Sequence, residues 1–406
     1  MTSPRGPRAR SLAQARFGLV PWLRACLGAL CLSGGALATE PPPPLPALAL
    51  DARHVSVSGL SSGGYMAVQF QVAHAASLSG AAVIAGGPYG CAAGSVTSAM
   101  FTCSCPYDTS EGAGPVGTLS GWVRGACLQL PATLLASRAR LATEHNARHI
   151  DSPRALRRHR VWLYSGDADP VVFPTVVDAL ERFYVDMKVP QRRLKRVREP
   201  DAGHAMPTTD AGECSVTRPP FINGCRFDGA GELLNWLHPS RGPRPQPGQA
   251  RDEALRPFDQ RPHRQAGAFD GLDDSGWVYV PQACRAEGAR CGLHVVFHGC
   301  EQGQSFRMGT GAGEPYGTRY VQGAGYNRWA EALGLVVLYP QVRASEGVAS
   351  EVPFQYNPKG CWDFWGYTLP RSANAAFSSG PPYARQDAPQ IRAVKSMVDA
   401  LLSPRP

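Results

Sequence analysis

An α/β fold with a mostly parallel sheet and helices on both faces is what the sequence predicts, and two patterns predict it. Short apolar runs, most of them β-branched, end in glycine or polar turns and read as buried strands. Stretches with helical spacing lie between them, and such alternation is the mark of βα units rather than of an all-β or all-α chain. The 406 residues, 43% of them hydrophobic, suffice for a large core.

Taken in chain order, the first 38 residues are set aside before any fold is drawn. Arg5, Arg8, Arg10, Arg16 and Arg24 precede an apolar run, Ala25 to Ala38, closed by Ala36-Leu37-Ala38. At about 14 residues the run is too short to span a bilayer and reads as a secretory signal. Residues 39–50, with their Pro41 to Pro46 cluster, are expected to be a stiff spacer, and 51–406 a single catalytic domain. Losing the five arginines takes the formal charge of +9 to +4. The densest basic run, Arg192, Arg193, Lys195, Arg196 and Arg198, is broken by Leu194 and Val197 as a half-wet strand would be, so nucleic acid is not an expected partner. Nor is a membrane after cleavage.

Of twelve cysteines, ten remain after the signal, an even number that suits five disulfides in an oxidising compartment. Cys214 with Cys225 and Cys284 with Cys291 are near enough for local loops, while connectivity stays open. Cys103-Ser104-Cys105 lacks zinc-knuckle spacing and histidine partners, so no metal is expected.

The strand Val55 to Ser58 leads into Gly59-Leu60-Ser61-Ser62-Gly63 and a helix, Gly64 to Ala75. This is the G-x-S-x-G pattern in its strand-turn-helix context, with Ser61 as nucleophile and the Ser62 backbone N–H as oxyanion donor. A serine hydroxyl needs a base, and the base needs an orienting carboxylate. After the strand Gly80 to Ala85 comes the strand Arg160 to Ser165, followed by Gly166-Asp167-Ala168-Asp169-Pro170-Val171-Val172. Asp167 and Asp169 both qualify as the acid; the apolar pair after Asp169 favours it. The helix Thr175 to Met187 and the strand Leu194 to Val197 precede Gly203-His204-Ala205, which puts His204 in a small-residue loop after a strand, after the serine and after both aspartates. Serine, aspartate, histidine is the chain order of α/β-hydrolases.

Beyond the helix Gly229 to Leu237, residues 240–265 are rich in proline, arginine and glutamine and are expected to be an irregular loop. The strands Trp277 to Pro281 and Leu293 to Phe297 follow, the latter running into His298-Gly299-Cys300. A strand ending in His-Gly resembles the loop giving the second oxyanion N–H, yet in α/β-hydrolases that loop precedes the nucleophile. Circular permutation resolves the order. After the helix Tyr326 to Leu333 and the strand Leu335 to Tyr339, the chain ends in an amphipathic helix, Ala388 to Leu402, with no following strand. The nucleophile strand lacks a preceding helix. Joining the ends restores an ordinary unit, and 240–265 then bridges what the unpermuted fold leaves free.

Gly59-Leu60-Ser61-Ser62-Gly63-Gly64-Tyr65-Met66-Ala67, Gly203-His204-Ala205-Met206-Pro207-Thr208, His298-Gly299-Cys300-Glu301-Gln302 and Asn357-Pro358-Lys359-Gly360-Cys361-Trp362-Asp363, in this order, resemble the extracellular short-chain polyhydroxyalkanoate depolymerases with a permuted, type 2 catalytic domain. The resemblance covers nearly the whole mature chain. It implies a secreted serine esterase, extracellular or periplasmic, acting on polyesters such as poly(3-hydroxybutyrate), with no cofactor and no obligate protein partner. It implies Ser61, Asp169 and His204 as the triad, Ser62 and Cys300 N–H groups as the oxyanion hole, a Cys300–Cys361 disulfide, and Trp362 at the cleft mouth. Phe364, Trp365 and Tyr367 are further aromatic candidates, with core packing the competing use of all four. Ser165 departs from the family, which often has histidine there. No separate substrate-binding domain follows before Pro406, so adsorption to solid polymer is expected to use the catalytic surface. The rival activities are a feruloyl or acetylxylan esterase and a non-catalytic polymer-binding protein.

Overall fold

The computed structural model describes residues 41–104, 141–210, 212–240, 242–309, 313–346, 355–369 and 381–405. The expected signal lies outside them. So do Cys105 and Cys127, the last of the ten cysteines.

Strands β1 (Val55–Leu60), β2 (Gly80–Ile84), β3 (Arg160–Gly166) and β4 (Leu194–Glu199) come first, then a short pair, β5 (Met206–Thr208) and β6 (Ile222–Gly224). They are followed by β7 (Leu255–Asp259), β8 (Ser275–Tyr279), β9 (Gly292–Phe297) and β10 (Leu335–Tyr339). Eight of these form one sheet in the order β4-β3-β2-β1-β9-β10-β8-β7. β8 runs antiparallel to both of its neighbours, and every other pairing is parallel. Counted from β7, the spatial order becomes first, second, fourth, third, fifth, sixth, seventh, eighth. In that count Ser61 follows the fifth strand, and the His298-Gly299 loop follows the third, where the α/β-hydrolase fold keeps its oxyanion donor.

The two ends of the described chain meet as the permutation requires. The last helix, Pro389–Leu402, finishes where Leu48 N–H donates to the Leu401 carbonyl at 3.2 Å and Ala49 N–H to the Ser403 carbonyl at 2.9 Å. These bonds also add to the expectation of a stiff spacer over residues 39–50. Leu45 and Leu50 are buried, and Asp259 N–H donates to the Pro43 carbonyl at 2.8 Å, so the segment is docked along the domain. Residues 240–265 are corrected in part. Their second half contains β7, an edge strand with Pro257 in it, the position at which a sheet tolerates a missing N–H.

Period-two alternation sends the sheet's side chains to two cores. Val57, Val83, Leu163, Val295 and Leu338 face one side. There they meet α1 (Ser62–Ala73) and the residues Val177, Leu180 and Phe183 of a helix spanning Pro174–Asp186. Leu60, Ile84, Trp162, Val296 and Val337 face the other, against Leu233, Leu234 and Leu237 of Gly229–Leu237 and Trp329 of Tyr326–Leu333. Every residue of α1 is buried, which marks it as a central helix rather than an amphipathic surface one. No helix among the described residues is long and apolar enough to cross a membrane.

Candidate active site

The turn from β1 into α1 holds Ser61 at φ 56 and ψ −123, a region costly for any residue with a Cβ and characteristic of functional sites. Its neighbours leave no room for side chains. A Cβ on Gly59 would lie 2.1 Å from the Gly63 carbonyl oxygen, and one on Gly63 would lie 2.3 Å from that of Phe297. The glycine frame thus brings the start of α1 against the end of β9, which places Ser61 beside the His298-Gly299 loop. The first N–H groups of a helix have no intrahelical acceptor, and among the described residues neither Ser62 nor Cys300 spends its N–H on a carbonyl.

Asp169 and His204 lie on the loops after β3 and β4, on the same carboxyl edge of the sheet. Asp169 Oδ2 and His204 Nδ1 are 2.7 Å apart, with the residues only 2% and 6% exposed. The other oxygen, Oδ1, accepts the N–H groups of Val171 at 2.8 Å and Val172 at 2.9 Å. The apolar pair folds back, and it locks the carboxylate's orientation. A carboxylate accepts, so Nδ1 carries the hydrogen, and in the neutral ring Nε2 has the lone pair. Asp167 is turned elsewhere, ion-paired with the exposed Arg198. His204's own N–H donates to Thr217 Oγ1 at 2.9 Å. No hydrogen bond links Ser61 Oγ to His204 among the described residues, a looseness common where no substrate is bound.

The oxyanion-side loop is pinned from several directions. Cys300 is disulfide-bonded to Cys361, with S–S 2.08 Å. Glu301 N–H donates to the Lys359 carbonyl at 2.7 Å, and the two side chains form an ion pair at 2.7 Å. Gln302 Oε1 accepts Gly299 N–H at 2.7 Å, while its amide donates to the Pro220 carbonyl at 3.0 Å. Gln302 therefore ties this loop to the segment after His204. The sequence pattern contained Gln302 but gave no sign of this use. The other described disulfides are Cys91–Cys103, Cys214–Cys225 and Cys284–Cys291.

Trp362 requires a correction. It is wholly buried, its ring edge-on to Phe297 at 4.9 Å, and its backbone N–H donates to Ser62 Oγ at 3.3 Å. Its large apolar ring supports β9 and α1 from beneath instead of facing solvent. Tyr367 is buried too, whereas Phe364 and Trp365 are half-buried, with Phe364 stacked on Tyr65 at 4.4 Å. Ser165 is buried and accepts Arg196 Nη2 at 2.6 Å. Two cavities of about 350 and 210 Å³ flank Thr208, just beyond His204.

A permuted hydrolase sheet, a strained serine elbow and a buried aspartate-histidine pair on one sheet edge define the serine hydrolase class. Comparison with known proteins narrows the class. The chain is 36% identical over 365 residues to a poly(3-hydroxybutyrate) depolymerase of Delftia acidovorans, covering 88% of this chain and 62% of that one. It is 31% identical over 339 residues to a polyhydroxybutyrate depolymerase of Talaromyces funiculosus, covering 80% and 85%. A solved PHB depolymerase from Penicillium funiculosum superposes with a TM-score of 0.66 at 27% identity, covering 88% and 98%. A serine-to-alanine PHB depolymerase complexed with an R3HB trimer gives the same values. No family model matches. The chain belongs to the polyhydroxybutyrate depolymerases.

Proposed function

We propose that this chain is a secreted serine esterase that cleaves the ester bonds of poly(3-hydroxybutyrate), as polymer or oligomer, through an acyl-enzyme on Ser61. The observation that carries the reading is the strained Ser61 elbow on the same sheet edge as the 2.7 Å Asp169–His204 bond. Ser61 Oγ attacks the carbonyl carbon of a 3-hydroxyacyl unit while His204 Nε2 takes its proton. The carbonyl oxygen, now negative, receives the N–H groups of Ser62 and Cys300, and one such donor is typically worth about a hundred- to a thousandfold in rate. The carbon–oxygen bond to the leaving hydroxyacyl chain breaks, and His204 returns the proton to that oxygen. Water, deprotonated in turn by His204, attacks the acyl-enzyme and frees the acid. Asp169 holds the imidazole in the tautomer this needs.

Secretion rests on the residue 1–38 pattern, and four disulfides among the described residues support an oxidising destination. Assaying the secreted protein on emulsified poly(3-hydroxybutyrate) beside feruloylated or acetylated xylan tests the substrate. Clearing of the polyester with release of hydroxyacid products is expected. Activity confined to the xylans would replace this reading with a carbohydrate esterase.

A further inference from the structure

The buried imidazole of His298 touches both the oxyanion-side loop and the end of the sheet, and its bonding leaves no choice of tautomer. The Val342 backbone N–H lies 3.1 Å from His298 Nε2, and a backbone N–H only donates. His298 Nδ1 lies 2.7 Å from the Gly299 carbonyl oxygen, which only accepts. The ring is therefore neutral, with Nε2 accepting and Nδ1–H donating. Burial, the largest influence, pushes its pKa down to about 4, so this state holds at neutral pH. The residue is 1% exposed and has the Trp362 ring 5.6 Å away, so it has no freedom to turn.

The Gly299 carbonyl and the Cys300 N–H belong to one planar trans peptide and point in opposite directions. Whatever holds the carbonyl aims the N–H. We propose that His298 is a positioning residue that fixes the plane of the Gly299–Cys300 peptide and so aims the Cys300 N–H at the developing oxyanion. Val342, just beyond β10, is the anchor, His298 the strut, and the peptide plane the part being set. Gln302 N–H, 3.4 Å from the same carbonyl, is too far to do this alone. The inference rests on Cys300 as an oxyanion donor, and its consequence is confined to the transition state.

Two substitutions separate the two bonds of the ring. In His298→Asn the amide nitrogen replaces Nδ1 and keeps the donor to Gly299. In His298→Gln the amide oxygen replaces Nε2 and keeps the contact with Val342. His298→Gln should lose about a hundredfold in kcat with KM changed by less than about threefold. Its affinity for a short alkylboronic acid, a mimic of the tetrahedral adduct, should fall in parallel. His298→Asn should stay within about tenfold of the parent in both. Equal losses in the two variants, or losses that follow melting temperature instead of boronate affinity, would overturn the proposal. Independently of folding, histidine ¹⁵N spectra of the unaltered enzyme at pH 7 should show His298 protonated on Nδ1. An Nε2–H tautomer would also overturn it. Ser61→Ala, run beside these, tests the underlying reading: if it stays active, the site assignment falls and His298 with it.

Discussion

Ser61, the proposed nucleophile, shows how much one backbone torsion demands of its neighbours. Its φ of 56 and ψ of −123 carry a cost of about 1–3 kcal/mol, and the glycines around it exist to make that turn passable. Gly63→Ala puts a methyl group 2.3 Å from the Phe297 carbonyl oxygen, so β9 and the oxyanion-side loop must shift. A drop in melting temperature together with a loss of kcat is the expected result; an unaffected enzyme would deny that the close approach matters. Asp169→Asn should preserve the bonds from Val171 and Val172 yet offer His204 an N–H, forcing the wrong tautomer. A fall of about 10⁴-fold in kcat with little change in stability is expected. Asp167→Asn, which removes only an exposed ion pair with Arg198, should leave kcat nearly unchanged. At this scale the Asp169–His204 pairing was legible because each residue sits on a loop just after a strand. The use of Trp362 was not: an indole that lines a cleft and one that fills a core look alike in a sequence.

The elements around the site are held by cross-links that join distant parts of the chain. Cys300–Cys361 closes a loop of 61 residues, for which chain entropy predicts about 4 kcal/mol of stabilisation. Since the oxyanion role proposed for Cys300 needs only its backbone, Cys300→Ser and Cys361→Ser should cost stability and activity alike. A harmless Cys361→Ser would contradict this. The seven strands read from sequence all form, because apolar or alternating runs bounded by turns leave little alternative. β7 was missed because Leu255-Arg256-Pro257-Phe258-Asp259 buries one side chain fully and exposes two, as an edge strand does, and its proline speaks against any central strand. The permutation was legible from the orphan helix at one end and the orphan strand at the other. The docking of Pro41 to Leu50 was not, since hydrogen bonds from Leu48 and Ala49 to the C-terminal turn are non-local. Their proximity makes an engineered permutant practical. Joining Ser403 to Asp51 by a short linker and opening the chain near Gln249 should give a folded, active enzyme, checked by thermal melting and ester hydrolysis. Failure to fold would argue that the present ends carry more of the stability than their contacts suggest.

Over the whole molecule, the interior holds histidines that must stay neutral. Burial lowers the pKa of His74, His159 and His298 to about 4 and of His238 to about 3, and that of His294 well below 6.5. His294 is held between Ser56 Oγ at 2.7 Å and Ser58 Oγ at 2.8 Å, inside the sheet under the nucleophile strand. Folded pKa values below the unfolded 6.5 mean that the unfolded chain binds more protons as pH falls. Stability is therefore full above pH 6.5 and declines below it, by about 1.4 kcal/mol per pH unit for each histidine protonated only when unfolded. The urea midpoint should fall between pH 6.5 and 5, before most carboxylates titrate; a flat midpoint over that range would contradict the buried neutral state. The fold brings Ser61, His204 and Asp169 to one edge of the sheet, and the central proposal is that they act there together on an ester. Turnover of a soluble (R)-3-hydroxybutyrate trimer by the parent enzyme and by Ser61→Ala, with the variant shown to be folded, measures it. Release of shorter hydroxyacids by the parent and a loss of about 10⁴-fold or more in the variant are predicted; undiminished hydrolysis by Ser61→Ala would contradict it.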